Sequence, residues 1–274
     1  MSSAISSNSI YAQLGLPHSP VMVDVRHEDD YLQQPRLIPG ALRGSPDHVG
    51  QWARALPRTR PLAVYCGSGG EVSRSVADEL GAMGYPASFL EGGFEEWMRA
   101  GHATVKVRND LDAPGGSRWV TRERPKIDRL ACPWLVRRFI DPEAMFFYTP
   151  AHRVRSEAEI LRAEPYDITG VTFSHRGPRC SFDAFLDEFD LHDQFLDQLA
   201  EIVRAADTGE LSQCREAPGL LAISLGLSAI VTDDILLLEQ AMLIYDALYA
   251  WCKTARNETH AWPQTQDLRH VTVT

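Results

Sequence analysis

Cys66 is the residue whose surroundings most favour chemistry, because it ends an apolar run at residues 62–66 and precedes a glycine-rich loop. Glycines let successive backbone N–H groups turn toward one point, and a following helix adds the positive end of its dipole. Such a loop binds anions and favours the thiolate, which can accept sulfane sulfur as a persulfide. The predicted persulfide- and anion-binding loop is Gly67, Ser68, Gly69, Gly70, Glu71, Val72 and Ser73.

Arginines form a second group of candidates, in the C-terminal half of the chain. A guanidinium pairs two oxygen atoms at once, so Arg137 and Arg138 suit a tetrahedral oxyanion. Alternatively, both are solvated helix residues that pair with Asp141 at helical spacing. The candidate residues of this half are Asp128, Arg129, Cys132, Arg137, Arg138, His175, Arg176, Cys180 and Asp207.

Thiols and a histidine in the same half allow redox or metal chemistry. Cys132 and Cys180 are redox thiols, metal ligands or small core residues. No tight metal-binding motif is present. A divalent metal would be held by His175 together with one of Asp183, Asp187 and Asp207.

Strands and helices alternate around Cys66. The apolar runs at 21–25, 62–66 and 87–90 predict buried strands. Apolar residues at helical spacing predict a helix over residues 71–83, which Gly84 ends. This alternation predicts an α/β domain with a parallel sheet flanked by helices.

The C-terminal half predicts an α+β domain with a mainly helical second part. Residues 130–141 are typical of a helix in which Pro133 occupies the first turn. Residues 144–148 and 171–173 favour strands, and helical spacing dominates from residue 181 onward.

Composition limits the class of protein. The chain has 274 residues and a formal net charge of -10, which argues against non-specific nucleic-acid binding. We expect a cytoplasmic protein with no membrane partner, because the N-terminus lacks a basic start and an apolar core and no uninterrupted apolar run reaches about 20 residues. The five cysteines are widely spaced, which argues against a disulfide framework.

The predicted domains are residues 8–105 and residues 119–256. A polar linker at 106–118 joins them, and a polar tail covers 257–274. The long apolar helix expected over 235–253 would pack in the core or form the face of a homodimer.

Four blocks of the N-terminal half resemble the rhodanese family. Residues 23–26 (VDVR), 38–41 (IPGA), 64–66 (VYC) and 90–97 (LEGGFEEW) match its motifs, in family order and at family spacing. The resemblance implies a sulfurtransferase fold with Cys66 as the catalytic persulfide carrier, and no cofactor for the transfer itself. It also implies that Asp24 and Arg26 support the loop.

One position departs from the family pattern. Many active rhodaneses have an arginine five residues after the cysteine, whereas this chain has Glu71. A carboxylate there repels a dianion such as thiosulfate, although it also favours the start of a helix. A protein persulfide or a small thiol or persulfide is therefore an equally good sulfur donor or acceptor.

The C-terminal half resembles the chromate-resistance (ChrB-type) domain over roughly residues 119–255. Stretches 127–141, 174–182, 203–207 and 220–227 carry the resemblance. It implies a role in resistance to chromate, other oxyanions or redox stress. Three functions stay open: a sulfurtransferase coupled to this domain, a chromate-responsive regulator, and a sensor that binds an oxyanion or metal without turnover.

Overall fold

The computed structural model describes residues 2–111, 115–256 and 258. The predicted α/β first part and the mostly helical C-terminal half are both confirmed. The strands are β1 (Ser3–Ile5), β2 (Val21–Asp24), β3 (Arg36–Leu37), β4 (Leu42–Arg43), β5 (Leu62–Tyr65), β6 (Ala87–Leu90), β7 (Val105–Lys106), β8 (Arg118–Arg122), β9 (Met145–Thr149) and β10 (Glu164–Pro165). The helices are α1 (Ser7–Gln13), α2 (Glu28–Gln33), α3 (Val49–Trp52), α4 (Glu71–Ala82), α5 (Gly93–Arg99), α6 (Asp128–Leu135), α7 (Val154–Leu161), α8 (Ser181–Glu188), α9 (Gln194–Thr208), α10 (Ala217–Ile230) and α11 (Asp234–Ala250).

A five-stranded parallel sheet organises the N-terminal part, in the order β1-β6-β5-β2-β4. Every residue of β2 and of β5 is buried, as expected for strands covered on both faces. The carboxyl ends of parallel strands lie at one edge of the sheet. The segments that follow β2 and β5 therefore bring Arg26 and Cys66 to the same edge.

A smaller parallel sheet, in the order β10-β8-β9, begins the C-terminal part. The predicted strand at 171–173 is wrong. Phe173 forms only an isolated bridge with Tyr166, and its carbonyl accepts the N–H of Asp167 at 2.9 Å. The segment therefore folds back on itself as a turn and cannot extend along a neighbouring strand.

Helix α6 begins at Asp128, so the prediction that Pro133 lies in the first turn is wrong, and this residue is inside the helix. Proline has no N–H to bind the carbonyl four residues earlier. That carbonyl, of Arg129, instead accepts the hydroxyl of Tyr166 at 3.1 Å. The helix continues into a π turn over Val136–Ile140.

One hydrophobic core extends through both parts of the chain and includes Trp97 and Trp119. Polar contacts also join the two parts. The N–H of Gly40 donates to the carbonyl of Phe139 at 2.6 Å. The ammonium of Lys253 donates to the carbonyl of Tyr11 at 2.5 Å. The two parts therefore pack as one body.

The described part of the predicted linker is bound to the C-terminal half. The N–H of Lys106 donates to the carbonyl of Phe189 at 2.8 Å, and Arg108 forms an ion pair with Glu188 at 2.8 Å. Of the predicted tail, all but Glu258 lies outside the described residues.

The segment Asp234–Ala255 is the one described helix long and apolar enough to cross a membrane by length and composition. Its Leu237, Ala241 and Tyr245 side chains are buried in the protein core. The opposite face exposes Leu236 and Leu243. The segment therefore packs as a core helix, and the homodimer stays a prediction.

Candidate active site

The Cys66 thiol lies at the carboxyl edge of the parallel sheet, between the end of β5 and the start of α4. It is 7% exposed and forms a hydrogen bond with the hydroxyl of Ser73, with the two atoms 3.3 Å apart. A cavity of about 500 Å³ opens beside it. All the described residues that line this cavity lie between positions 25 and 95. The thiol is thus sheltered and accessible from one side.

The predicted loop packs against the turn that precedes α5, and two glycines allow this contact. Gly69 and Gly93 have φ angles of +68° and +57°. A β-carbon on Gly93 would lie 2.3 Å from the nitrogen of Gly69 and 2.5 Å from the carbonyl oxygen of Cys66. The N–H of Phe94 donates to that carbonyl at 2.9 Å. Only glycine fits this close approach, so residues 67–70 are held by the second half of the domain.

Backbone donors are available in this loop. In the described chain, the N–H groups of residues 67–70 donate to no backbone carbonyl of the surrounding turns and loops. The first N–H groups of α4, from Glu71 onward, have no partner within the helix, and Gly70 offers no capping side chain. The loop can therefore hold a negatively charged sulfur atom.

Carboxylates dominate the mouth of the cavity. Asp30, Glu71 and Glu95 line it, and the facing guanidinium of Arg26 is neutralised by Asp24 at 2.6 Å. Glu71 is in the first turn of α4, where its charge favours the helix dipole. The negative charge at the cavity mouth therefore disfavours the binding of dianions, as Glu71 alone suggested.

The Asp24–Arg26 pair is fully buried but does not bind the 67–73 loop directly. Arg26 donates to the carbonyls of Gln34 and Arg36, on the opposite wall of the cavity. Its guanidinium also lies 4.2 Å from the ring centroid of Phe94. Any support of the loop by Asp24 and Arg26 therefore involves no direct hydrogen bond, because Arg26 donates to Asp24 and to the carbonyls of Gln34 and Arg36.

Three of the predicted residues in the C-terminal half lie together. The Nε2 atom of His175 is 3.3 Å from Oδ2 of Asp128 and 3.1 Å from Oδ2 of Asp207. Sequence reasoning missed a fourth member, Asp167, whose Oδ1 is 3.4 Å from the same nitrogen. The available signal was a charged residue two positions after the short strand β10. The predicted Arg129 lies beside Asp167, at 3.2 Å.

The acidic and basic side chains of this cluster shift one another's pKa values. The hydrogen bond to Asp128 raises the pKa of His175 to about 9. Burial and the charge of Asp128 raise the pKa of Asp207 to about 8. Both groups therefore hold their protons more tightly than an isolated histidine or aspartate does.

The predicted Arg137 and Arg138 line one cavity of about 510 Å³, but carboxylates already bind both side chains. Arg137 forms an ion pair with Glu239 at 2.6 Å, and Arg138 binds both carboxylate oxygens of Asp246 at 2.8 Å. The alternative partner, Asp141, instead accepts the N–H and hydroxyl of Ser117, so that pairing is also wrong. Carboxylates on α11, about a hundred positions away in sequence, outcompete it.

The same holds for Arg176, which forms an ion pair with Glu188 at 2.5 Å. Two aspartates proposed to join His175 at a metal also have other partners. Asp183 binds Arg204 at 2.7 Å and Asp187 binds Arg179 at 2.8 Å, so that part of the metal prediction is wrong.

The two candidate thiols of this half are buried, and burial raises the pKa of Cys132 and of Cys180. The sulfur of Cys180 lies 3.6 Å from Oδ2 of Asp183. Such thiols are protonated at neutral pH and are poor nucleophiles. Cys66 is therefore the better candidate nucleophile, and its cavity is separate from the His175 cluster.

The parallel sheet with a cysteine in a glycine-rich loop at its carboxyl edge defines the first part of the chain as a rhodanese-like domain, and the family model for that domain matches residues 9–100. The model for the ChrB C-terminal domain matches residues 119–252. The chain therefore combines a rhodanese-like domain with a ChrB C-terminal domain. Both matches lie within the domain limits predicted from the sequence.

A curated relative shares part of the chain. The protein ChrB of Cupriavidus metallidurans is 33% identical over 150 residues, which cover 54% of this chain. The match covers 45% of that relative, so this chain spans less than half of its length.

Solved structures similar to the chain include two proteins of the rhodanese type. Thiosulfate sulfurtransferase from Pseudomonas aeruginosa is 26% identical, with a TM-score of 0.35, and the match covers 39% of this chain and 20% of that one. A rhodanese-like domain protein from Staphylococcus aureus is 25% identical, with a TM-score of 0.31, and the match covers 35% of this chain and 90% of that one.

Proposed function

We propose that this protein is a sulfurtransferase that carries sulfane sulfur on Cys66 and acts in chromate resistance. The observation that carries the proposal is the position of the Cys66 thiol, beside a cavity and next to a loop with free N–H donors. These donors would stabilise first the thiolate and then the terminal sulfur of a persulfide.

The transfer needs no external oxidant. The Cys66 thiolate attacks the outer sulfur of a donor persulfide, and a new S–S bond forms. The S–S bond of the donor breaks, and the donor leaves as a thiolate that takes up a proton. An acceptor thiolate then attacks the outer sulfur on Cys66 and restores the free cysteine.

The charge at the cavity mouth selects the donor. Asp30, Glu71 and Glu95 would repel the dianion thiosulfate more strongly than a persulfide that carries a smaller negative charge. We therefore expect a persulfide such as cysteine persulfide to load Cys66 faster than thiosulfate. An oxyanion role for Arg137, Arg138 and Arg176 gains no support, because carboxylates already bind all three.

Sulfur transfer to an acceptor thiol tests the proposal. The wild type, Cys66→Ser and the matched control Cys214→Ser are each supplied with cysteine persulfide or with thiosulfate. Cys214 is a free cysteine that lies outside the cavity. Transfer should vanish only in Cys66→Ser. Equal transfer by Cys66→Ser and by the wild type would refute the assignment.

Growth on chromate tests the proposed role in chromate resistance. A strain that lacks the gene is complemented with the wild type, Cys66→Ser or Cys214→Ser. We expect Cys66→Ser alone to leave the strain sensitive. Full resistance with Cys66→Ser would separate the sulfur chemistry from chromate resistance.

A further inference from the structure

A second group of chemically active side chains lies in the ChrB domain, outside the Cys66 cavity. Four segments supply it: the start of α6, the turn after β10, the loop before α8, and the end of α9. One ligand atom from each of Asp128, His175 and Asp207 lies within 4.8 Å of the others. Because these residues are far apart in sequence, the fold itself assembles the group, which is not a surface run of acidic residues.

The group pairs two carboxylates with a single imidazole. Asp128 is 2% exposed and Asp207 is 14% exposed, so both carboxylates are largely removed from water. Asp167 is compensated by Arg122 and Arg129. In the part of the chain that the structure describes, His175 is the one basic side chain paired with Asp128 and Asp207. Paired buried carboxylates normally need a shared proton or a cation between them.

The thiol of Cys132 is an independent sign of a missing partner. It is 0% exposed and follows Asp128 by four positions on α6, so both side chains lie on the same face of the helix. Among the described residues, the thiol has no hydrogen-bond partner. It is therefore an unpartnered buried polar group on the face of α6 that carries Asp128.

The spacing of the donor atoms fits a metal. Ligands about 2.1 Å from a metal lie about 3.0 Å apart at adjacent octahedral positions and about 3.4 Å apart at tetrahedral ones. The His175 nitrogen is 3.1 Å from Asp207 and 3.3 Å from Asp128. The 40% exposed His175 side chain provides an open side through which an ion enters.

We propose that Asp128, His175 and Asp207 bind a divalent first-row transition metal. Asp167 then lies beside the ligands and is oriented by Arg122 and Arg129, as carboxylates near a metal ligand commonly are. Carboxylate oxygens with one imidazole suit Mn²⁺, Fe²⁺ or Zn²⁺ better than Mg²⁺. This site does not depend on sulfur transfer at Cys66.

Titration of the chelator-treated full-length chain with Mn²⁺ tests the proposal, with free Mn²⁺ followed by electron paramagnetic resonance. The wild type should bind one equivalent. Asp207→Asn and His175→Ala should each weaken binding by at least roughly tenfold. The matched control is Asp187→Asn, since Asp187 pairs with Arg179 outside the cluster and should leave the affinity unchanged. Cys66→Ser should also bind normally, which separates this site from the proposed function.

The outcomes divide clearly. One equivalent of bound Mn²⁺ that both cluster variants lose and the control keeps supports the site. No binding of Mn²⁺ or Zn²⁺ by the wild type overturns it, and so does unchanged binding by His175→Ala. That side chain is partly exposed, so its loss should leave the fold intact. Thermal unfolding without metal verifies this.

Discussion

Replacing Gly93 with alanine should damage both the fold and the reaction. The new β-carbon would lie 2.3 Å from the Gly69 nitrogen, 2.5 Å from the Cys66 oxygen and 2.6 Å from the Gly67 oxygen. Carbon contacts are normally about 3.5 Å or more, so the loop must move by roughly 1 Å. These atoms are backbone and cannot rotate away.

The free-energy cost of Gly93→Ala has two parts. Alanine at a φ of +57° costs about 1–2 kcal/mol in backbone strain. Overpacking against the loop adds about 1–3 kcal/mol. We therefore expect the free energy of unfolding to fall by roughly 2–5 kcal/mol. A 1 Å displacement of the reacting thiol should also slow sulfur loading by roughly 100-fold.

Gly101→Ala is the matched control, because Gly101 has a φ of +72° and no atom lies within 4 Å of its added β-carbon. It should show the backbone strain alone and keep the loading rate. Urea unfolding and the rate of loading by cysteine persulfide measure both variants. If Gly93→Ala is as stable and as fast as Gly101→Ala, the packed loop is not what positions Cys66.

Three further predictions concern charge. Glu71→Arg should speed loading by thiosulfate roughly fivefold to tenfold relative to cysteine persulfide, because it changes the electrostatic energy by about 1 kcal/mol. The control Glu79→Arg lies on the same helix but outside the cavity, and it should not change this ratio. Equal changes for both donors would contradict the electrostatic argument. Asp183→Asn should lower the free energy of unfolding by about 3–5 kcal/mol, because it removes the buried partner of Arg204. A loss below 1 kcal/mol in urea unfolding would show that this ion pair does not hold α8 to α9. By contrast, Arg153→Ala breaks an exposed ion pair at the start of α7 and should cost about 0.5 kcal/mol in the same assay, so a loss of several kcal/mol would be unexpected.

Local sequence was sufficient to predict the sheet around Cys66. Continuous apolar runs specified the strands β2, β5 and β6, and glycine specified the loop. The failed strand at 171–173 had the right residue types. Strand formation also needs a neighbouring strand to pair with, and the sequence alone does not show that the segment turns back to Tyr166.

The partners of charged groups depended on the tertiary fold. Arg138 had Asp141 three positions away but binds Asp246, which α11 brings across the core. Asp167 went unnoticed because its neighbours in space, His175 and Arg122, come from other segments. Sequence spacing predicts pairs within one helix, whereas these pairs follow from how separate helices and strands pack.

The central claim is that Cys66 carries the sulfur. Mass spectrometry of peptides from the full-length protein, after treatment with cysteine persulfide, measures this directly. The peptide that contains Cys66 should gain the mass of one sulfur atom and lose it again after addition of an acceptor thiol. Peptides with Cys132, Cys180, Cys214 or Cys252 should stay unmodified. An unmodified Cys66 peptide, or sulfur bound on another cysteine instead, would contradict the account.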